Sequence, residues 1–227
     1  MAMHPILNPM RFFNPIRLIP ELIYTTIIVI FCYLIYHKTK EIYNLTKYKG
    51  IHYFRNTFLF FALAYASRFI LHLLFIGGSA FDIFLPRGIF MPIVMVPVGY
   101  LSTMAIFYLM YSVIWKKIKN NHFLIFSNII AILVSIIAFI SRSPQITTFV
   151  QFILIVFTLI MIFTNPKKHK KLSQIKVLYI LLFLFWLFNM YILGPRRFLA
   201  YEMQFIFQML SLVVFFIIYN KVTKWVK

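Results

Sequence analysis

The sequence contains one cysteine, Cys32, and only four acidic residues, Glu21, Glu41, Asp82 and Glu202, among 227. One cysteine excludes a disulfide framework and a thiolate metal cluster. So few carboxylates leave Asp-rich, metal-dependent prenyl or phosphoalcohol transfer without its ligands. Charged residues make up 12% of the chain, with no low-complexity tail and no separate polar domain. Neither H-E-x-x-H nor G-x-S-x-G occurs, and "GGSA" at 77–80 places its serine at the wrong spacing. His37, His52, His122 and His169 are scattered over loop ends without metal-ligand spacing. These absences point away from an enzyme, a bound metal or a cofactor. Retinal is excluded in particular, because no lysine lies deep in an apolar run to form the Schiff base.

What the chain does have is apolar length. Hydrophobic residues make up 63%, against about 45–50% in soluble domains. That composition predicts an all-α polytopic membrane protein with the lipid bilayer as its main partner. Seven runs approach the roughly 20 residues a spanning helix needs. They fall near 18–36, 54–76, 89–115, 122–141, 146–164, 174–193 and 199–220. The runs lack the strict alternation of barrel strands. Pro92 and Pro97 predict a kink in the third. Residues 1–17, broken by Pro5, Pro9 and Pro15, are expected to form an irregular arm at the outer surface rather than a signal peptide. Residues 18–227 then form a single seven-helix bundle.

Net charge is +19. In a soluble protein this would suggest nucleic acid, but here topology accounts for it. All 15 lysines fall on one side of the seven spans, and the other side carries only Arg11, Arg17, Arg87, Arg142, Arg196 and Arg197. The positive-inside rule places the C-terminus in the cytoplasm and the N-terminus outside, in a plasma membrane. Pro20-Glu21 and Pro144-Gln145 resemble the paired dipeptides in the first and fifth helices of PQ-loop transporters. That resemblance implies a three-plus-one-plus-three parallel repeat. It covers four residues, and no family is assigned on it.

Polar residues inside spans usually face the bundle interior. Several line up at helical spacing, within about 80° of arc. These are Glu21, Thr25 and Cys32 on the first span, and Thr57, Arg68 and His72 on the second. Thr147, Gln151 and Thr158 align on the fifth, Trp186 and Asn189 on the sixth, and Gln204, Gln208 and Ser211 on the seventh. The fourth span's Asn128, Ala131, Ser135 and Ala138 read as a packing seam.

Arg55 sits at the start of the second span, where it can snorkel to the interface. Arg68 stands 13 residues further, a rise of about 20 Å into a core of about 30 Å. An arginine there costs about 2.5–3.5 kcal/mol. Its candidate partners are Glu21, which shares its own helix's polar stripe, and Glu202. Glu21 is the favoured one.

The leading expectation is a transporter or permease with a polar midplane site for a small solute, an anionic one where Arg68 makes the contact. Arg68 and His72 would hold the solute, with Gln151, Trp186, Asn189 and Gln208 as walls. The alternatives are a heptahelical receptor coupling through its lysine-rich loops to a cytoplasmic partner, and a structural subunit whose ion pair only packs helices.

Overall fold

A computed structural model describes residues 15–80, 87–116, 122–164, 170–193 and 201–226. Among these residues there are seven helices and no strand. They are α1 (Pro15–Thr46), α2 (Lys49–Ala80), α3 (Arg87–Ile114), α4 (His122–Ile140), α5 (Pro144–Phe163), α6 (Lys170–Leu193) and α7 (Tyr201–Val226). Six are long and apolar enough to cross a membrane, and α6 contributes an apolar stretch, Lys176–Met190. In hydrocarbon every backbone polar group needs an internal partner, which a helix supplies from its own chain. Large apolar side chains face outward along α4 and α5, including Ile125, Ile129, Leu133, Ile136, Phe149 and Ile160. Such a surface belongs against lipid tails. The protein is an integral membrane protein.

The first two helices differ from expectation at one end. The first span was placed at 18–36 and the second at 54–76, with a lysine-bearing loop between them. Instead α1 continues to Thr46 and α2 begins at Lys49. Each has 32 residues, about 48 Å long at 1.5 Å per residue. Both overrun the hydrocarbon, because lysine and glutamate are good helix formers once outside it. Only a tight turn remains, with Lys47 in the left-handed region (φ 52) and its amide donating to the Tyr43 carbonyl at 2.7 Å. At the other end of the bundle, α4 closes with Arg142 left-handed (φ 51). There the Ser143 amide reaches back to the Ala138 carbonyl at 3.2 Å, as in a Schellman cap. Pro20 falls inside α1 rather than at its start, whereas Pro144 does open α5. α3 stays helical through Pro92 and Pro97. The expected arm lies almost wholly outside the described residues, and its last three residues, 15–17, open α1.

Neighbouring helices run α1–α2–α3–α5–α6–α7 and back to α1, and α4 leans on α3 and α5. Paired contacts give the directions. Tyr43 meets His52 while Glu21 meets His72, so α1 and α2 are antiparallel. Tyr24 meets Ser211 while Phe31 meets Tyr219, so α1 and α7 are parallel. The same logic makes α3 and α5 parallel, through Gly99–Thr147 and Ser102–Gln151. A half-turn that exchanges α1–α3 with α5–α7 therefore maps one parallel contact onto the other and leaves α4 outside. Across the ring, α2 and α6 face each other through Phe61–Phe185 and Tyr65–Asn189, and Tyr65 and Asn189 are 124 residues apart. Pro20 and Pro144 share that separation.

Aromatic rings fill the centre. Phe58 packs on Phe215 at 6.1 Å between centroids, Phe61 on Phe185 at 6.0 Å, and Phe54 on Tyr179 at 6.2 Å. All three pairs meet edge to face, the favoured geometry for ring quadrupoles. α3 is buried on almost every side from Ser102 to Tyr111, as a helix surrounded by α2, α4 and α5 must be.

Candidate functional site

The polar residues of four helices meet at one level. Asn189 on α6 is buried and fully used. Its carbonyl accepts from the Tyr24 hydroxyl at 2.8 Å and from the Tyr65 hydroxyl. Its amide donates to the Phe185 carbonyl at 2.7 Å and to Ser211 Oγ at 3.2 Å. Tyr24 and Ser211 also share a hydrogen bond at 2.9 Å. One side chain thus ties α1, α2, α6 and α7 together, with every polar atom satisfied, as a dry interior requires.

Arg68 stands one turn from Tyr65 on α2. It is half-buried, and its guanidinium carbon lies 5.6 Å from the Tyr65 ring centre. Its charge also acts on the phenols of Tyr24 and Tyr65. Among the described residues no carboxylate lies within 4.0 Å of it. Asp82 falls outside the described residues.

One further turn along α2, His72 meets Glu21 of α1, with Nε2 and Oε2 3.3 Å apart. Both are largely buried, at 11% and 22% side-chain exposure. This corrects the favoured pairing: Glu21 reaches the α1–α2 seam as its stripe implied, but meets His72 rather than Arg68. Glu202, the other candidate, is exposed on α7. The lateral position of α2 against α1 decides the matter, and depth alone did not reveal it.

The remaining predicted walls divide. Asn189 joins the cluster beside Arg68. Gln151 turns to α3, donating to Ser102 Oγ at 2.7 Å and Thr103 Oγ1 at 3.1 Å. Trp186 is buried against Phe61 with its indole N–H unpartnered. Gln208 is buried on α7 one turn before Ser211, and Gln204 is half-buried. On the fourth helix, Ser135 packs against Gly99, where an added Cβ would lie 3.2 Å from Ser135 Oγ.

Sequence reasoning missed Tyr24, Tyr65, Ser102 and Thr103. The two tyrosines belong to none of the polar stripes picked out above, yet their spacing carries a signal. Tyr24 precedes Thr25 on the polar stripe, and Tyr65 lies three residues before Arg68. The α3 residues had no stripe to betray them, because that helix is buried all round. Among the described residues no three His, Cys, Asp or Glu side chains gather in a metal-binding group.

A protein from Archaeoglobus fulgidus, itself described as uncharacterized, is 34% identical over 225 residues, covering 97% of this chain and 96% of its own length. The chain belongs to that protein's family. No family model matches the sequence, and no solved structure matches it. The family relationship spans the whole bundle, so all seven helices and the polar cluster lie within the shared region.

Proposed function

We propose that this family member is a small transporter or permease whose site for an anionic solute is the Arg68–His72–Glu21 ladder. The lysine-rich end would face the cytoplasm of a plasma-membrane protein, and the site would open toward the opposite side. Arg68 carries the reading. Its cation costs about 2.5–3.5 kcal/mol at membrane depth. One ring contact returns about 0.5–2 kcal/mol. No described carboxylate within 4.0 Å supplies the rest. A residue held at a net cost is held for use, and a planar guanidinium suits a carboxylate or other oxyanion.

The site then separates into two parts. Tyr24, Tyr65, Asn189 and Ser211 are a saturated scaffold that sets helix positions. Arg68 is the cationic contact, and the His72–Glu21 pair lies between it and the helix ends. Histidine is the side chain that changes charge nearest neutral pH. The His72–Glu21 pair, 3.3 Å apart, is the proton-linked partner that this reading assigns to the passage. The half-turn relation between α1–α3 and α5–α7 supports the transporter class, because parallel repeats about a membrane-normal axis let two halves rock against each other.

The test is ligand-induced stabilisation. Purified protein is heated in the presence of acetate, lactate, phosphate or sulfate, each against matched chloride. At least one oxyanion should raise the unfolding midpoint of the wild type and not that of Arg68→Gln. Equal shifts in both proteins would remove Arg68 from the site.

A further inference from the structure

Arg55, read from the sequence as an interface anchor, also has ring and imidazole contacts of its own. Its guanidinium carbon lies 5.1 Å from the Tyr36 ring centre and 5.2 Å from that of Tyr43, both on α1. Nη2 is 3.2 Å from His52 Nδ1, and His52 Nε2 is in turn 3.4 Å from the Asn56 amide. The neighbouring Nε–H is buried and has no hydrogen-bond partner among the described residues. Nε and Nη2 form the edge of the guanidinium that grips an oxyanion with two parallel hydrogen bonds. Here one half of that edge meets an imidazole nitrogen and the other meets no acceptor among the described residues.

The surroundings are cationic. Lys47 Nζ stands 5.8 Å from the centre of the same Tyr43 ring. Glu41, the nearest acid in sequence, is engaged by His37 at 3.6 Å and Lys38 at 3.5 Å. Among the described residues no carboxylate lies within 4.0 Å of Arg55 or Lys47. The niche is also reachable, since Tyr36, Tyr43, His52, Arg55 and Asn56 are all half-buried and Lys47 is exposed. On the spans read from the sequence, 18–36 and 54–76, it falls at the interface on the lysine-rich side.

We propose that this niche is a second site, distinct from Arg68, which binds a phosphate oxyanion. The Nε–Nη2 edge of Arg55 takes two phosphate oxygens as His52 swings aside, and Lys47 supplies a second positive charge. Tyr36 and Tyr43 hold the guanidinium flat between them, so little orientation is lost on binding. The phosphate can come from an anionic lipid headgroup, which juxtamembrane basic clusters attract, or from a free phosphate.

The experiment titrates the full-length protein in neutral detergent with phosphatidylglycerol, phosphatidylcholine or inorganic phosphate, reading tryptophan fluorescence and the unfolding midpoint. Wild type should bind phosphatidylglycerol more tightly than phosphatidylcholine, or bind inorganic phosphate. Arg55→Gln should weaken that binding about tenfold or more and Lys47→Gln about threefold, since a bidentate charged contact outweighs a point charge. Lys176→Gln, whose ammonium rests on the Phe163 ring elsewhere at this end, should change nothing. A response to phosphatidylglycerol alone identifies a lipid headgroup, and an equal response to inorganic phosphate identifies a soluble oxyanion. The proposal is overturned if wild type binds neither, if it binds phosphatidylcholine as well as phosphatidylglycerol while ignoring inorganic phosphate, or if Arg55→Gln binds as wild type does. Should Arg55→Gln fail to fold, Lys47→Gln decides alone, and an unchanged affinity there is equally fatal.

Discussion

Replacing Asn189 with leucine should loosen four helices at once. Leucine keeps the forked, four-atom shape of asparagine, with somewhat greater bulk, but removes both of its polar ends. Four hydrogen bonds disappear: two accepted from Tyr24 and Tyr65, and two donated to Phe185 and Ser211. Hydrogen bonds between membrane helices average about 0.6 kcal/mol and reach about 1.7. Tyr24 keeps Ser211, but the Tyr65 hydroxyl loses its amide acceptor and is left with only the neighbouring Tyr24 hydroxyl among the described residues, and a buried polar group short of its partner costs about 1–3 kcal/mol. Asn189→Leu should therefore cost about 2–4 kcal/mol. Tyr65→Phe deletes the hydroxyl and leaves Asn189 three other bonds, so it should cost about 1 kcal/mol. In the double variant no orphan hydroxyl remains. It should be clearly more stable than the sum of the single losses allows, with a coupling of about 1 kcal/mol or more. Reversible unfolding in mixed micelles of rising denaturing-detergent content measures all three. Strict additivity, or an Asn189→Leu cost below about 0.5 kcal/mol, would refute the scaffold role.

Gly99 lies where a Cβ would crowd Ser135 Oγ at 3.2 Å and meet Thr147 at an ordinary contact distance of 3.5 Å. Gly99→Ala should lower stability by about 1 kcal/mol and Gly99→Leu by considerably more, in the same micelle assay. Gln151→Leu should cost only about 0.6–1.7 kcal/mol, because Ser102 still bonds the Val98 carbonyl at 2.6 Å. A larger loss would mean that Gln151 does more than join α3 to α5. In cells, a cysteine at Lys47 should resist impermeant thiol reagents from outside, while one at Ser141 should react. The buried Cys32 gives little background. The reverse labelling would overturn the orientation.

Much of this architecture could be read from the residues. Seven apolar runs became seven helices, and the lysines of α1 and α2 do gather at one end. The polar stripes also pointed inward: Thr25, Cys32, Thr57, His72, Asn189, Gln208 and Ser211 are all buried. What could not be read was sideways geometry. Depth along a helix follows from residue count, so Arg68 stands out in the sequence. Which helix stands beside it, and at what rotation, depends on packing between runs of Ile, Leu and Phe that look alike in sequence. That is why Glu21 was assigned to Arg68 and met His72. Helix ends were hidden for a different reason. Hydropathy marks where lipid stops, and α1 continues well past that point because nothing in Lys38–Thr46 breaks a helix.

The central claim is that Arg68 serves a passing anion rather than the fold. The direct measurement is uptake of the stabilising oxyanion into proteoliposomes, paired with the unfolding midpoint, for wild type and Arg68→Gln. At least a tenfold loss of flux is expected, with an unchanged or raised midpoint, since a costly charge has been removed. A midpoint that falls with the flux, or a flux that survives the substitution, would contradict it.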